Sequence, residues 1–263
     1  MKKRLDVLVV EQGLAENRTR AQALIMAGRV RVGDRVLTKP GDAVDERTAL
    51  SVDAPETSYV SRGGEKLAHA LDRFGLDVAG MVALDVGAST GGFTDVLLRR
   101  GARRVYAVDV GYGDLAWTLR EDPRVVVMER TNIRYLQSLP EQPDLATIDV
   151  SFISLEKVLP VVWRLLAGDP AHGEGLVVAL IKPQFEAGRG AVGKGGVVRD
   201  PGTHRAVLER VLAFAAAGGW RLRGLVASPV LGRSGNREFL ALWSEAPATP
   251  VDIAAAIDAA MAQ

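Results

Sequence analysis

Three charged residues sit at the ends of apolar runs in this 263-residue chain: Asp149 closes Leu-Ala-Thr-Ile-Asp, Lys182 closes Val-Ala-Leu-Ile-Lys, and Glu238 opens Glu-Phe-Leu-Ala-Leu-Trp. A charged residue at the carboxyl end of a buried strand points to the crevice where open α/β sheets bind ligands. Pro183 forces Lys182 into an extended conformation and ends its strand there. If the strand opened by Glu238 runs antiparallel beside that of Lys182, the three residues come from adjacent strands about 4.8 Å apart. A lysine between two carboxylates can handle a proton; it can equally be a structural ion-pair cluster, and spacing alone leaves both open.

A second group surrounds a glycine turn, Asp85-Val-Gly87-Ala-Ser89-Thr-Gly91-Gly92-Phe93-Thr94. The run 82–86 reads as a short buried strand closed by glycine. After it comes an amphipathic helix with Phe93, Val96 and Leu97 on one face and Arg99 and Arg100 near its C-terminal end, where the dipole favours cations. Strand, glycine turn and helix open a doubly wound nucleotide-binding fold. The next strand ends in Asp109, about 18 positions after Gly91, near the distance at which a carboxylate reaches ribose hydroxyls. A dinucleotide site needs G-x-G-x-x-G; here the turn is G-A-S-T-G-G, with Ser89 two places after Gly87. Asp85 at the turn would repel a diphosphate and welcome a cationic amino-acid group, which favours S-adenosylmethionine over NAD. A ligand-free core turn is the bland alternative.

The elements that position these groups alternate. Strands are expected over 82–86, 105–108, 125–128, 145–149, 176–182, 221–227 and 238–243, with helices from Glu65, over 153–166 and over 201–216. Nothing helical separates the last two strands, so they should form an antiparallel hairpin. The fold class is therefore α/β: a doubly wound, seven-stranded sheet of the methyltransferase type, preceded by a small N-terminal α+β domain. Lys66 lies in the first turn of the helix from Glu65, an electrostatically poor place for a cation, and by position alone reads as a surface lysine. A tail helix is expected over 251–263.

Residues 1–60 read as a separate domain, joined through a turn-rich linker at about 55–64 to a second domain over 61–263. Leu5, Leu8 and Val9 repeat at helical spacing up to Gly13; Asn17 can cap a second helix bearing Ala21, Leu24 and Ile25, which Gly28 ends. Short strands follow at 30–32, 36–37 and 50–52. Residues 1–40 carry nine Lys/Arg against four Asp/Glu, so the positive excess sits here although the whole chain is only +1. An arginine strip of this kind is the electrostatic footprint of phosphate-backbone binding, or simply a solvated charged face.

Composition excludes more than it assigns. With 48% hydrophobic and 25% charged residues the chain can build a sizeable core. The absence of cysteine rules out disulfides and thiolate metal sites, and three scattered histidines argue against zinc. Asp6 and Glu11 interrupt any signal-peptide core, and no apolar run approaches a membrane span. A cytoplasmic location is expected, with no membrane and no protein partner implied. The segment 188–195 nearly spells a P-loop, but Gly195 stands where the magnesium-binding Ser/Thr belongs; a glycine-rich lid or a plain flexible loop fits better.

The run from Arg4 to Val36 resembles the RNA-binding domain named after ribosomal protein S-four. Further motifs resemble the TlyA family: S-R-G-G-E-K-L at 61–67, the turn at 85–94, A-V-D-V-G-Y-G-D-L-A-W at 107–117, E-R-T-N at 129–132, D-V-S-F-I-S-L at 149–155, K-P-Q-F-E at 182–186 and S-G-N-R-E at 234–238. Those proteins are S-adenosylmethionine-dependent ribose 2′-O-methyltransferases of ribosomal RNA, related to the FtsJ enzymes, and some have carried a haemolysin name. The resemblance implies a catalytic tetrad of Lys66, Asp149, Lys182 and Glu238. It also implies cofactor contacts from Asp85, Gly87, Ser89, Gly91 and Phe93 around the methionyl part, from Asp109 and Val110 at the ribose, and from Asn132 near the adenine. Ribosomal RNA or a ribosomal subunit is the implied partner, with Arg4, Arg18, Arg20, Arg29, Arg31 and Arg62 as candidate contacts; if the glycine-rich segment is a lid, its Arg189 and Lys194 would touch RNA phosphates. Some members carry a tryptophan before Val-Ser-Arg-Gly, where this chain has Ser58-Tyr59.

The implied tetrad is chemically coherent. A ribose hydroxyl is a poor nucleophile at neutral pH, so its proton must be held or removed during attack. Lys182, close to the cation Lys66 and partly desolvated, would have its charged form disfavoured and serve as base, with Asp149 and Glu238 orienting the two ammonium groups. No metal is required. A non-catalytic RNA-binding factor that keeps the cofactor fold, and more remotely a dehydrogenase, are the rival readings.

Overall fold

Continuous apolar runs in the central strands build a sheet covered on both faces. A computed structural model gives the structure and describes residues 2–15, 17–26, 28–33, 35–52, 59–167, 174–193, 195–245 and 251–263, with the side chains of Arg20, Ala23, Arg189 and Arg233 also outside the description. The chain divides into two compact units, residues 1–58 and 59–263.

In the first unit, β1 (Lys2–Arg4) pairs antiparallel with β4 (Ala43–Asp45). Helices α1 (Leu5–Glu11) and α2 (Arg18–Met26) follow β1, and β2 (Val30–Val32) sits between β3 (Arg35–Leu37) and β5 (Ser51–Val52). Leu5, Leu8, Val9, Ala21, Ile25, Val30, Leu37 and Leu50 form its core. The β1–β4 pair escapes the sequence pattern because Lys-Lys-Arg carries no apolar alternation.

In the second unit, α3 (Gly63–Phe74) precedes β6 (Val82–Val86), α4 (Gly92–Arg99), β7 (Arg104–Val108), α5 (Trp117–Arg120), β8 (Val125–Met128), β9 (Leu145–Ile148) and α6 (Leu159–Leu166). Then come β10 (Leu176–Ile181), α7 (Pro183–Glu186), α8 (Pro201–Ala217), β11 (Arg221–Ala227), β12 (Phe239–Ser244) and α9 (Ile253–Ala262). The sheet order is β11-β12-β10-β9-β6-β7-β8. Strand β12 runs antiparallel between β10 and β11, while β10, β9, β6, β7 and β8 are parallel. Val82, Leu84, Val86, Tyr106 and Val108 face one core, while Ala83, Val105 and Ala107 face the other. Two covered faces are what a parallel sheet requires, each fully buried large side chain contributing ~1.5–3 kcal/mol.

Two of the boundary differences from expectation have a clear physical cause. The helix expected over 153–166 is a 3-10 turn (Leu155–Lys157) followed by α6, because Pro160 is tolerated only in the first helical turn. Gly63 and Gly64, expected in the linker, instead begin α3. Gly64 is buried so closely against Tyr59 that a Cβ there would collide with its ring, and Val60 N–H donates to Asp95 at 2.9 Å. Packing thus fixes backbone that composition marks as mobile.

Candidate active site

The sheet order brings distant charges to one edge. Asp149 immediately follows β9, Lys182 follows β10 and Glu238 precedes β12. Because Ile181 pairs with Phe239 in the antiparallel register, Lys182 and Glu238 leave the sheet side by side. Lys66 comes from the first turn of α3 and is 9% exposed rather than on the surface. It donates to Glu238 Oε2 at 2.6 Å, and that pairing offsets a cation near a helix N-terminus. Lys182 Nζ lies 2.5 Å from Asp149 Oδ1, off the direction of a good hydrogen bond, and donates to Ser151 Oγ at 3.0 Å. Two lysine nitrogens therefore face two carboxylates, with Lys182 9% and Glu238 2% exposed while the Asp149 side chain keeps 22% of its surface open.

Further contacts hold this group. Gln184 Nε2 donates to Glu238 Oε1 at 2.9 Å, which fixes the amide orientation because a carboxylate only accepts. A Cβ at Gly232 would strike the Glu238 carboxylate, so only glycine allows that approach. Ser151, Gln184 and Gly232 were not singled out from sequence, although Ser151 and Gln184 stand inside the quoted motifs.

Three cavities adjoin these side chains. One, of about 280 Å³, is lined by Gly87, Ser89, Phe93, Arg62, Lys66 and Lys182 among others. A second, of about 710 Å³, is lined by Gly87, Ser89, Asp109, Val110, Asn132 and Phe152 among others. The third, of about 1140 Å³, is lined by Lys66, Lys182, Glu238, Gly188, Gly193 and Gly196 among others. Ser89 and Ser151 border all three, so the cavities meet at the charged group.

The glycine turn shapes the first two cavities. Gly87 has φ 84°, and a Cβ there would come within 2.6 Å of the Asp149 carbonyl. Gly91 (φ 94°) lines none of the three cavities; a Cβ on it would strike Leu119 and Leu115, so its part is to close the turn. Asp109 accepts from Ser89 N–H at 2.8 Å and Gly111 N–H at 2.7 Å, and each carboxylate oxygen keeps a lone pair for a ligand hydroxyl. Asn132 lines the second cavity while its Oδ1 caps the 3-10 turn Ile133–Tyr135.

Asp85 departs from expectation. It is wholly buried and lines none of the cavities; its oxygens accept from Thr94 Oγ1 at 2.6 Å and Thr147 Oγ1 at 3.0 Å. Strand alternation places it on the same face of the sheet as Ala83 instead of in the turn mouth. Burial without a cation pushes its carboxyl up to about 7, against the hydroxyl hydrogen bonds.

The expected RNA contacts divide. Arg4 donates to buried Asp6 through Nε and Nη2, both at 3.0 Å, and Arg18 donates to it at 3.0 Å, so both have a structural task although about half their side-chain surface stays exposed. Arg31 lies on β2, with Arg29 just before it. Arg62 lines the smallest cavity, in the second unit. Lys194 and the side chains of Arg20 and Arg189 lie outside the described residues. Among the described residues no cluster of His, Asp and Glu could hold a metal ion, and no helix is long and apolar enough to cross a membrane.

Comparison with known proteins converges on one family. Residues 59–244 match the FtsJ-like methyltransferases and residues 3–48 match the S4 domain. The 16S/23S rRNA (cytidine-2′-O)-methyltransferase TlyA of Mycobacterium tuberculosis is 49% identical over 91% of this chain and 88% of its own length. Hemolysin A of Brachyspira hyodysenteriae is 40% identical over 90% of this chain and 98% of its own. A solved Streptococcus thermophilus structure aligns with a TM-score of 0.77 at 45% identity, covering 99% of this chain and 94% of that one. With its seven-stranded sheet, its S4 domain and this identity across both units, the chain belongs to the FtsJ-like methyltransferase family, in its TlyA branch.

Proposed function

We propose that the chain methylates a ribose 2′-hydroxyl of ribosomal RNA, using S-adenosylmethionine, and that the nucleoside is a cytidine. The observation that carries this reading is the meeting of Lys66, Asp149, Lys182 and Glu238 where three cavities join. Relatives named as rRNA (cytidine-2′-O)-methyltransferases at 49% and 34% identity support the substrate. Such a substrate implies work in the cytoplasm.

The cavities fit the cofactor on their own terms. The 710 Å³ space, with Asp109 at one wall and apolar Val86, Val108 and Ile133 beside it, suits a nucleoside. The smaller space at the glycine turn suits the methionyl part, with Gly87, Ser89 and Phe93 on its wall. Bound there, the cofactor supplies an electrophilic sulfonium methyl.

The chain's own residues do the rest. Lys182, in its neutral form, takes the hydroxyl proton at Nζ, while Asp149 and Ser151 fix where Nζ sits. Glu238, held by Gln184, fixes the place of Lys66 beside the site. Burial excludes water that would compete for the methyl. Alignment of the reacting atoms supplies much of the acceleration, up to ~7–11 kcal/mol when geometry is good. In the N-terminal unit, Arg4, Arg18, Arg20, Arg29 and Arg31 grip the RNA backbone, and in the second unit Arg62, Arg189 and Lys194 are assigned RNA contacts. Mapping ribose methylation on ribosomal RNA from cells with and without the protein tests this: one or more 2′-O-methylcytidines should vanish, and an unchanged map sinks the reading.

A further inference from the structure

Glu186 is a buried carboxylate with no part in the chemistry above. It ends α7, four residues after Lys182, and reaches across to the loop that follows β9. Oε2 accepts from Ser154 Oγ and Oε1 from Leu155 N–H, each at 2.8 Å. On its other side Arg210 of α8 donates to the Glu186 carbonyl at 2.6 Å and lies 3.4 Å from Oε2.

The loop so held is strained. Phe152 has φ 63° and is 89% exposed, although its ring meets Phe185 at 4.8 Å between centroids. A bulky residue in the left-handed region persists only where its surroundings impose it. The same short loop carries Asp149 and Ser151, both of which touch Lys182. Directed hydrogen bonds from one catalytic loop to a charge on the other are a means of holding two loops in one arrangement.

We propose that Glu186, braced by Arg210, is a positioning residue: it locks the loop after β9 to the segment after β10 and so sets Asp149 and Ser151 on Lys182. This rests on the assignment of Lys182 to the hydroxyl proton. Side chains that act on a reacting group must be held to a fraction of an ångström, and that is what two bonds from a buried carboxylate provide.

The test is initial-rate methyl transfer by the full-length chain from tritiated S-adenosylmethionine to ribosomal subunits. Glu186→Ala should lower kcat about 10- to 100-fold while the KM for the cofactor stays within about threefold, and should displace the pH profile of kcat. Glu186→Gln keeps an acceptor for Leu155 N–H and should recover most of the rate. If Glu186→Ala does not fold, Ser154→Ala removes one of the two bonds and should lower kcat about threefold at constant KM. An unchanged kcat and pH profile in the variant that folds overturns the proposal. So does a parallel loss of kcat, cofactor affinity and melting temperature that Gln fails to rescue, since that marks a purely structural role. A wild-type chain that transfers no methyl overturns the function itself, before any substitution is made.

Discussion

Two carboxylates, Asp6 in the N-terminal unit and Asp85 in the catalytic unit, are both completely buried, and their surroundings treat the charge in opposite ways. Asp6 meets Arg4, Arg18 and Gln22, and the Arg4 guanidinium above all holds it well below the usual carboxylate range. Asp85 meets two threonine hydroxyls, and desolvation without a cation lifts it to about 7. Desolvation pushes both carboxyls toward the neutral form, and at Asp6 the cations beside it outweigh that push. The carboxylates of the candidate site, Asp149 and Glu238, resemble Asp6 in having cations, yet theirs are lysines gathered at a cavity edge instead of arginines on a surface. The Asp6 pairs hold the N-terminal unit together, whereas the Lys66–Glu238 and Lys182–Asp149 pairs border open cavities.

The largest effect should come from breaking a catalytic pair. Lys182→Ala should cost ~10²–10⁴-fold in methyl transfer while cofactor affinity by calorimetry stays within a few-fold. Loss of cofactor binding instead would make that pair structural, like the one at Asp6.

Asp85 offers the next largest effect, through pH. Its folded pKa lies above its unfolded one, so the native state holds an extra proton between them and stability declines as pH rises toward 7. The full span is about 4 kcal/mol. Asp85→Asn should flatten the fall in unfolding free energy between pH 4 and 8, read by denaturant titration of the full chain. An equally steep fall in the variant would show that Asp85 is ionised throughout.

Asp6 should show the opposite sign. Its folded pKa is depressed, so its contribution is full above about pH 4 and is lost as pH falls further. Asp6→Asn should destabilise the N-terminal unit by ~1–3 kcal/mol at pH 7, since the arginines left behind are half solvated. Hydrogen exchange of residues 2–52 reads this directly, and unchanged protection would remove Asp6 from the account.

The smallest effect tests whether arginines away from Asp6 serve RNA. Arg29→Ala and Arg31→Ala should each lower the slope of log affinity against log salt by ~0.9 without altering catalysis at saturating RNA. No change in slope would assign them to the fold of the unit.

Much of the architecture was legible because it is local. Short continuous apolar runs gave all seven strands of the large sheet, and the missing helix between the last two gave their antiparallel pairing. The β1–β4 pair was not legible, since three basic residues form a strand only because Ala43–Asp45 lies beside them. The displaced start of α3 has the same origin, Tyr59 packing on Gly64.

At the site, sequence by itself determined which charges end strands, because a strand's end is set by its own residues and by the proline or glycine after it. Tertiary structure decided what those charges meet. Position made Lys66 a surface lysine; folding buried it against Glu238, 172 positions away, and only resemblance to a family anticipated that. Asp85 was expected at the ligand and was drawn instead between Thr94 and Thr147, of which the latter lies on a neighbouring strand 62 positions on. Partners far apart in the chain are chosen by sheet order and register, and those follow from how the whole core packs.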